Sequence, residues 1–222
     1  MTTVLWILGA GGHGRVVADA ALASGRWTEI AFFDDDAARA TQLGHFVRRG
    51  DGPAFFGGGH KDSAGATIER HIAVGHNAAR DDLARRCEAL GRALALVVHP
   101  RAVVSPQARL AHGCFVAAGA IVAPGAEIGV AGIVNHGASV DHDNRIGRAV
   151  HVGPGARLGG NVSVGDRAWI GLGASVRQGI RIGAGALVGA GAVVVAGVAD
   201  NATVIGNPAR PMKRADGSAH DA

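Results

Sequence analysis

From Val98 to Val194 an aliphatic residue returns at every sixth position without a break: Val98, Val104, Leu110, Val116, Val122, Ile128, Val134, Val140, Ile146, Val152, Leu158, Val164, Ile170, Val176, Ile182, Val188 and Val194. Two places before most of them stands a small residue, as at Ala102, Ala108, Cys114, Ala120, Ala126, Gly132, Ala138, Ala156, Ala168, Ala174, Ala186 and Ala192. A fixed short period is the mark of a solenoid, whose units bury their apolar side only by stacking on one another. Six residues are too few for a helical repeat, and β-branched side chains suit strands. The economical geometry is one short strand per hexad and three hexads per triangular coil, about 18 residues per turn with coils about 4.8 Å apart. Side chains 18 apart then stack. Gly160 and Gln178 continue the edge that begins at His142, and Pro154, Leu172 and Ala190 form another. Glycines that follow the aliphatic position, such as Gly129, Gly147, Gly159 and Gly171, are expected at corners of positive φ.

Ahead of the solenoid the pattern changes. An apolar run over 4–8 predicts a strand, 15–23 a helix, 30–33 a second strand and 71–74 a third. A helix is expected over 78–90 and a fourth strand over 93–98. The stretch 37–69 predicts little regular structure. The fold class is therefore mixed. A small α/β domain of half-Rossmann βαβ type over 1–96 leads into a parallel β-helix over 97–214, and 215–222 is expected to be a disordered tail.

Composition narrows the field only a little. The net charge of +4 comes from scattered basic residues, and without a recognisable motif it gives no case for nucleic acid. No stretch reads as a membrane span or signal peptide, so a cytoplasmic protein is expected. Cys87 and Cys114 lack metal-ligand spacing, and no metal site is expected.

Two segments carry candidate chemistry. The loop Gly9-x-Gly11-x-x-Gly14 falls between a strand and a helix, with Asp34 at the end of the next strand. That is the arrangement of a dinucleotide fingerprint, in which glycines admit a phosphate to a helix N-terminus. Only half of a dinucleotide fold is present and no hydride-transfer domain follows, so a nucleotide-linked sugar fits better than a nicotinamide cofactor. A tight strand-to-helix turn without a ligand is the plain alternative. The second segment is Asn135 to Asn144. His142 and Asp143 follow Val140 by two and three places, which puts them on an outward corner. A histidine beside a carboxylate can serve as a general base, because the carboxylate fixes its tautomer and raises its basicity. A solvent-facing histidine on a turn is the alternative.

Together, Gly-Ala-Gly-Gly-His-Gly, Phe33-Asp34-Asp35, Ile72-Ala73-Val74-Gly75-x-Asn77, the hexads with Asn135 and Val140-Asp141-His142-Asp143, and the closing Gly-Asn-Pro-Ala-Arg resemble one family. It is that of the bacterial hexapeptide-repeat N-acetyltransferases of nucleotide-linked 4-amino-4,6-dideoxysugars and the related sialic acid O-acetyltransferase-like proteins. The resemblance implies a left-handed β-helix, acetyl-CoA as co-substrate and no metal. It also implies a homotrimer with active sites between subunits. It assigns His142 as general base, Asp143 as its carboxylate partner and Asn135 as a further polar group of the catalytic site. His151, Gly160 and Leu172 match positions that meet acetyl-CoA. Gly11, Gly12, His13, Asp34, Asp35 and Gly75 match the nucleotide-sugar pocket. Two departures stand out. Asp143 replaces the longer Glu of some relatives, which makes Asp141 a competing partner for His142, and the stretch around 48–66 is longer than usual. The sequence leaves open UDP or GDP, the sugar, and O- rather than N-acetylation. A non-catalytic sugar-binding solenoid is the reading from a different class.

Overall fold

The computed structural model describes residues 2–42, 46–61 and 65–212; the expected tail over 215–222 lies outside them. The first part is a four-stranded parallel sheet. Its strands are β1 (Thr3–Leu8), β2 (Glu29–Phe33), β3 (Val47–Gly50) and β4 (Thr67–Ile72), in the order β3-β2-β1-β4. Helix α1 (Gly12–Ser24) follows β1 and packs Val17, Ala18 and Ala21 beneath it. The stretch 37–69 is more regular than expected. It holds a 3-10 turn (Ala37–Gln42), β3, the short helix α2 (Gly52–Phe56) and the first half of β4. Its polar, glycine-broken sequence hides the strand, because β3 is an edge strand with no apolar alternation. Helix α3 (Asn77–Ala89) comes next. The strand expected over 93–98 does not join this sheet. Leu94 makes a single bridge to Arg70, and Val97–Val98 already pairs with Phe115–Val116 of the solenoid.

The rest is a left-handed parallel β-helix with three faces. Face I begins at Val97–Val98 and includes Phe115–Val116, Ile133–Val134, His151–Val152, Trp169–Ile170 and Leu187–Val188. Face II runs from Val103–Val104 through Ser139–Val140 and Arg157–Leu158 to Val193–Val194. Face III runs from Arg109–Leu110 through Arg145–Ile146 to Arg181–Ile182. Register confirms the 18-residue coil: Ser139 pairs with Arg157, and Arg157 with Ser175. The periodic aliphatic residues and the small residues before them fill the prism as one continuous core.

The glycines after the aliphatic positions serve another purpose than expected. Positive φ falls two residues later, at Gly119, Gly155 and Gly173 and even at Ala131, Asp143 and Ala149. Gly129, Gly147 and Gly171 lie against the next coil, where a β-carbon would stand 2.4–2.7 Å from its atoms. Close coil stacking, not handedness, requires them.

Face I is where the two parts meet. Phe115, Ala117 and Ile133 are buried against Leu5, Ile7 and Val17. Arg80 of α3, almost fully buried, pins the junction. Its Nε donates to Ala131 O, one terminal nitrogen to Val74 O and Gly75 O, and the other to Asn77 Oδ1 and Ala149 O, all within 2.8–2.9 Å. Asn77 Nδ2 donates to Arg167 O and Ala168 O. The corners at Ala131, Ala149 and Arg167 lie one coil apart and share the left-handed backbone, so two side chains grip three successive coils. Burial lowers the Arg80 pKa to about 10, which leaves it charged at neutral pH. Among the described residues, no helix is long and apolar enough to cross a membrane.

Candidate active site

His142 and Asp143 occupy the turn between Ser139–Val140 of face II and Arg145–Ile146 of face III. They stand on the prism edge opposite face I. Asp143 takes the left-handed conformation, φ 58°, which turns its carboxylate back toward the ring. His142 Nδ1 and Asp143 Oδ2 are 2.9 Å apart. Asp141 is not a rival for the ring, because its Oδ1 accepts the backbone N–H of His142 at 2.7 Å. The hydrogen bond to Asp143 chiefly raises the imidazole pKa above its ordinary value. With Nδ1–H donated to Asp143, Nε2 presents its lone pair. Gly160, one coil on, lies flush with it: a β-carbon at 160 would stand 2.3 Å from His142 Nε2. Among the described residues, no group of three or more His, Cys, Asp or Glu is placed to hold a metal ion.

Asn135 does not join this pair. It sits on the edge between faces I and II, and its Nδ2 donates to His151 Nε2 at 2.9 Å. The orientation of that amide follows from its other bond, because Oδ1 accepts the N–H of His136 at 2.8 Å. His151 therefore carries its proton on Nδ1, and that atom is buried with no hydrogen-bond partner among the described residues. Burial first, and the nearby Arg80, lower the His151 pKa to about 3, so the ring is neutral. His13, in the first turn of α1, approaches it with ring centroids 6.2 Å apart and meets Phe115 edge-on. Burial lowers His13 to about 3 as well. Leu172 is 60% exposed on the edge that carries Asn135. At Gly155 and Gly173 on that edge a β-carbon would touch nothing.

The glycine loop reaches a third place. Gly14 is required for close packing, since a β-carbon there would stand 2.0 Å from Gly9 O. Gly11 precedes α1 and Gly12 opens it. Asp34 is buried and already engaged: Oδ2 accepts from Ala10 N at 2.7 Å and Oδ1 from Asp36 N at 2.9 Å. Asp35 Oδ1 accepts from Gly52 N at 2.8 Å. Both carboxylates line a cavity of about 260 Å³ with Gly9, Pro53, Arg39 and Arg86. Arg39 meets Asp34 at 3.3 Å and the Arg86 guanidinium stacks over Phe56 at 3.9 Å. Sequence reasoning missed these two cations. The uneven stretch around Arg39 gives no pattern to read, and the place of Arg86 late in the helix expected over 78–90 suits the helix dipole and gives no sign of a pocket. Gly75 does not line this cavity; Arg80 holds its carbonyl.

The comparisons agree with this anatomy. The family model of the PglD N-terminal domain matches residues 4–87. The acetyltransferase domain of PglB from Neisseria gonorrhoeae FA1090, solved in complex with acetyl coenzyme A, is 38% identical. The match covers 96% of this chain and all of that one, with a TM-score of 0.89. The chain belongs to the hexapeptide-repeat family of bacterial sugar acetyltransferases. A histidine-to-asparagine variant of perosamine N-acetyltransferase from Caulobacter crescentus, in complex with CoA and GDP-perosamine, is 39% identical over 96% of this chain and 98% of its own, with a TM-score of 0.86. WeeI from Acinetobacter baumannii AYE, at 26% identity, covers 95% of this chain and all of its own, with a TM-score of 0.80. No curated protein sequence matches significantly.

Proposed function

We propose that this chain transfers the acetyl group of acetyl-CoA to the 4-amino group of a nucleotide-linked 4-amino-4,6-dideoxysugar, for the synthesis of bacterial surface glycan. The observation that carries the reading is the outward His142–Asp143 pair seated on side-chain-free Gly160. Acetyl-CoA supplies an activated acyl group and a thiolate leaving group. The prism edges suit it: exposed Leu172 offers apolar surface, and Gly155 and Gly173 leave the backbone open. His142 Nε2 takes a proton from the sugar amine as the amine attacks. Asp143 holds the imidazole in the tautomer that can do so and stabilises the imidazolium. The Arg39 and Arg86 wall suits the diphosphate of the nucleotide.

The reading includes a homotrimer with shared sites. Within one chain, His142 lies a full prism width from face I, against which the α/β part packs; six residues at about 3.3 Å give a side of roughly 20 Å. Sugar held at the glycine loop, beside His13 and His151, would meet His142 only from a neighbouring copy. The relatives' ligands support the substrate class: acetyl-CoA for PglB, CoA and GDP-perosamine for the Caulobacter enzyme. The test is a thiol-release assay with acetyl-CoA and a panel of GDP- and UDP-linked 4-amino-4,6-dideoxysugars, with free and CMP-linked sialic acid as controls. Thiol release with one amino sugar is expected. Release with sialic acid alone would replace N-acetylation by O-acetylation.

A further inference from the structure

One coil of the solenoid breaks its own rule. The inward position two before the aliphatic residue holds Ala, Gly, Cys or an aliphatic side chain elsewhere from Ala102 to Ala192, but at 144 it holds asparagine. Asn144 is fully buried in the apolar core. A buried amide is tolerated only where its polar atoms are matched, and here they are. Nδ2 donates to Asp141 O at 2.7 Å and to Gly159 O at 3.1 Å; Oδ1 accepts from Val162 N at 2.7 Å.

The choice of partners is informative. Asp141 immediately precedes His142, and Gly159 immediately precedes Gly160, the residue that lies flush against the His142 ring. One side chain thus ties the corner bearing the imidazole to the corner supporting it. Apolar residues fill the same column one coil before and one coil after, at Ala126 and Val162. Neighbouring corners close with backbone bonds, Ala126 N to Ala123 O and Ala138 N to Asn135 O, whereas the Asn144 side chain takes that place at the His142 corner and at the corner stacked on it. We propose that Asn144 is a positioning residue that holds His142 against Asp143 and over Gly160. The inference deepens the reading of His142 as the base and rests on it for its effect on turnover.

The experiment compares wild type, Asn144→Ala, His142→Ala and Val162→Ala. Alanine fills the same column at Ala126, so its size fits the coil, and a lower melting temperature is expected because Val162 N–H, Asp141 O and Gly159 O lose their partner; Asn144→Cys, with the side chain found at Cys114, serves if the alanine variant does not fold. Two readouts are taken: the titration of the His142 ring by NMR on labelled histidine, and kcat and KM for both substrates. In Asn144→Ala the ring midpoint should fall toward that of free imidazole. Its kcat should drop about 10- to 100-fold, with both KM values within about twofold of wild type. Val162→Ala loses packing without losing a tether, so it should lower the melting temperature and leave kcat alone. An unchanged ring midpoint in Asn144→Ala would overturn the inference whatever the activity. A shifted midpoint with unchanged kcat, while His142→Ala is inactive, would overturn its catalytic part. If instead His142→Ala keeps its turnover, the base assignment fails, and the ring titration still decides the positioning.

Discussion

Gly160 supports the imidazole of His142 from one coil away, at a separation that leaves no room for a β-carbon. The contact is between a backbone and the tip of an exposed side chain, so adding a methyl group there moves the histidine and spares the fold. Gly160→Ala should therefore keep the wild-type melting temperature and lose about 10- to 100-fold in kcat. Steady-state kinetics beside thermal melting checks this. Unchanged kcat would show that the ring does not work from this position.

The pH dependence follows from the Asp143 contact. His142 acts as a base only when unprotonated, and its pKa is raised, first by the hydrogen bond to Asp143. Activity should fall on acidification through a midpoint above the ordinary imidazole value. Asp143→Asn removes the charge that raises it, so the midpoint should move to lower pH while turnover drops. A pH profile of kcat/KM for the sugar, measured on both proteins, reads the direction of the shift.

The buried histidines link stability to pH with the same sign. His71 donates Nδ1–H to Ala95 O and is lowered to about 4, and His151 is lowered to about 3, both chiefly by burial. The unfolded chain takes up these protons near pH 6.5 and the folded chain does not. Stability is thus complete above about pH 6.5 and declines as pH falls from there toward 4 and then 3, by about 1.4 kcal/mol per pH unit for each histidine. Denaturant unfolding at pH 7.5 and pH 5.5 should show the loss. His71→Gln should reduce it.

Arg80 spends every N–H of its guanidinium on the junction between the α/β part and face I. Arg80→Ala leaves the Ala131 and Ala149 carbonyls buried without donors, at about 1–3 kcal/mol each. A loss of about 3 kcal/mol or more in unfolding free energy is expected, and Arg80→Lys should recover only part of it because a lysine cannot fork to so many acceptors. A change under about 1 kcal/mol would show that the junction is held by apolar packing alone.

The solenoid was legible because its period is short and its core is built from local repeats; the aliphatic residue of each coil announces itself. The His142–Asp143 corner was legible for the same reason, since register places every residue of a hexad. What escaped were features set by tertiary contact. Strand β3 carries no alternation. Arg80, Arg39 and Arg86 look like ordinary helix or loop charges until their partners are known. Asn135 falls close to His142 in sequence and on another edge in space, one side of the triangle away. Asn144 could have been found: it is a polar residue in a column of small apolar ones, and that exception was the available signal.

The most direct test of a site assembled from two chains is complementation. His142→Ala removes the base, and Gly12→Phe places bulk at the start of α1, where a β-carbon meets no other atom of the fold. Each variant alone should be inactive in thiol release. Refolded together in equal amounts, random assortment into a symmetric oligomer should place an intact edge beside an intact pocket at about one site in four. Recovery of about a quarter of wild-type turnover is the expected result. No recovery in a mixture shown to have exchanged subunits would mean that each chain works alone, and would contradict the shared site.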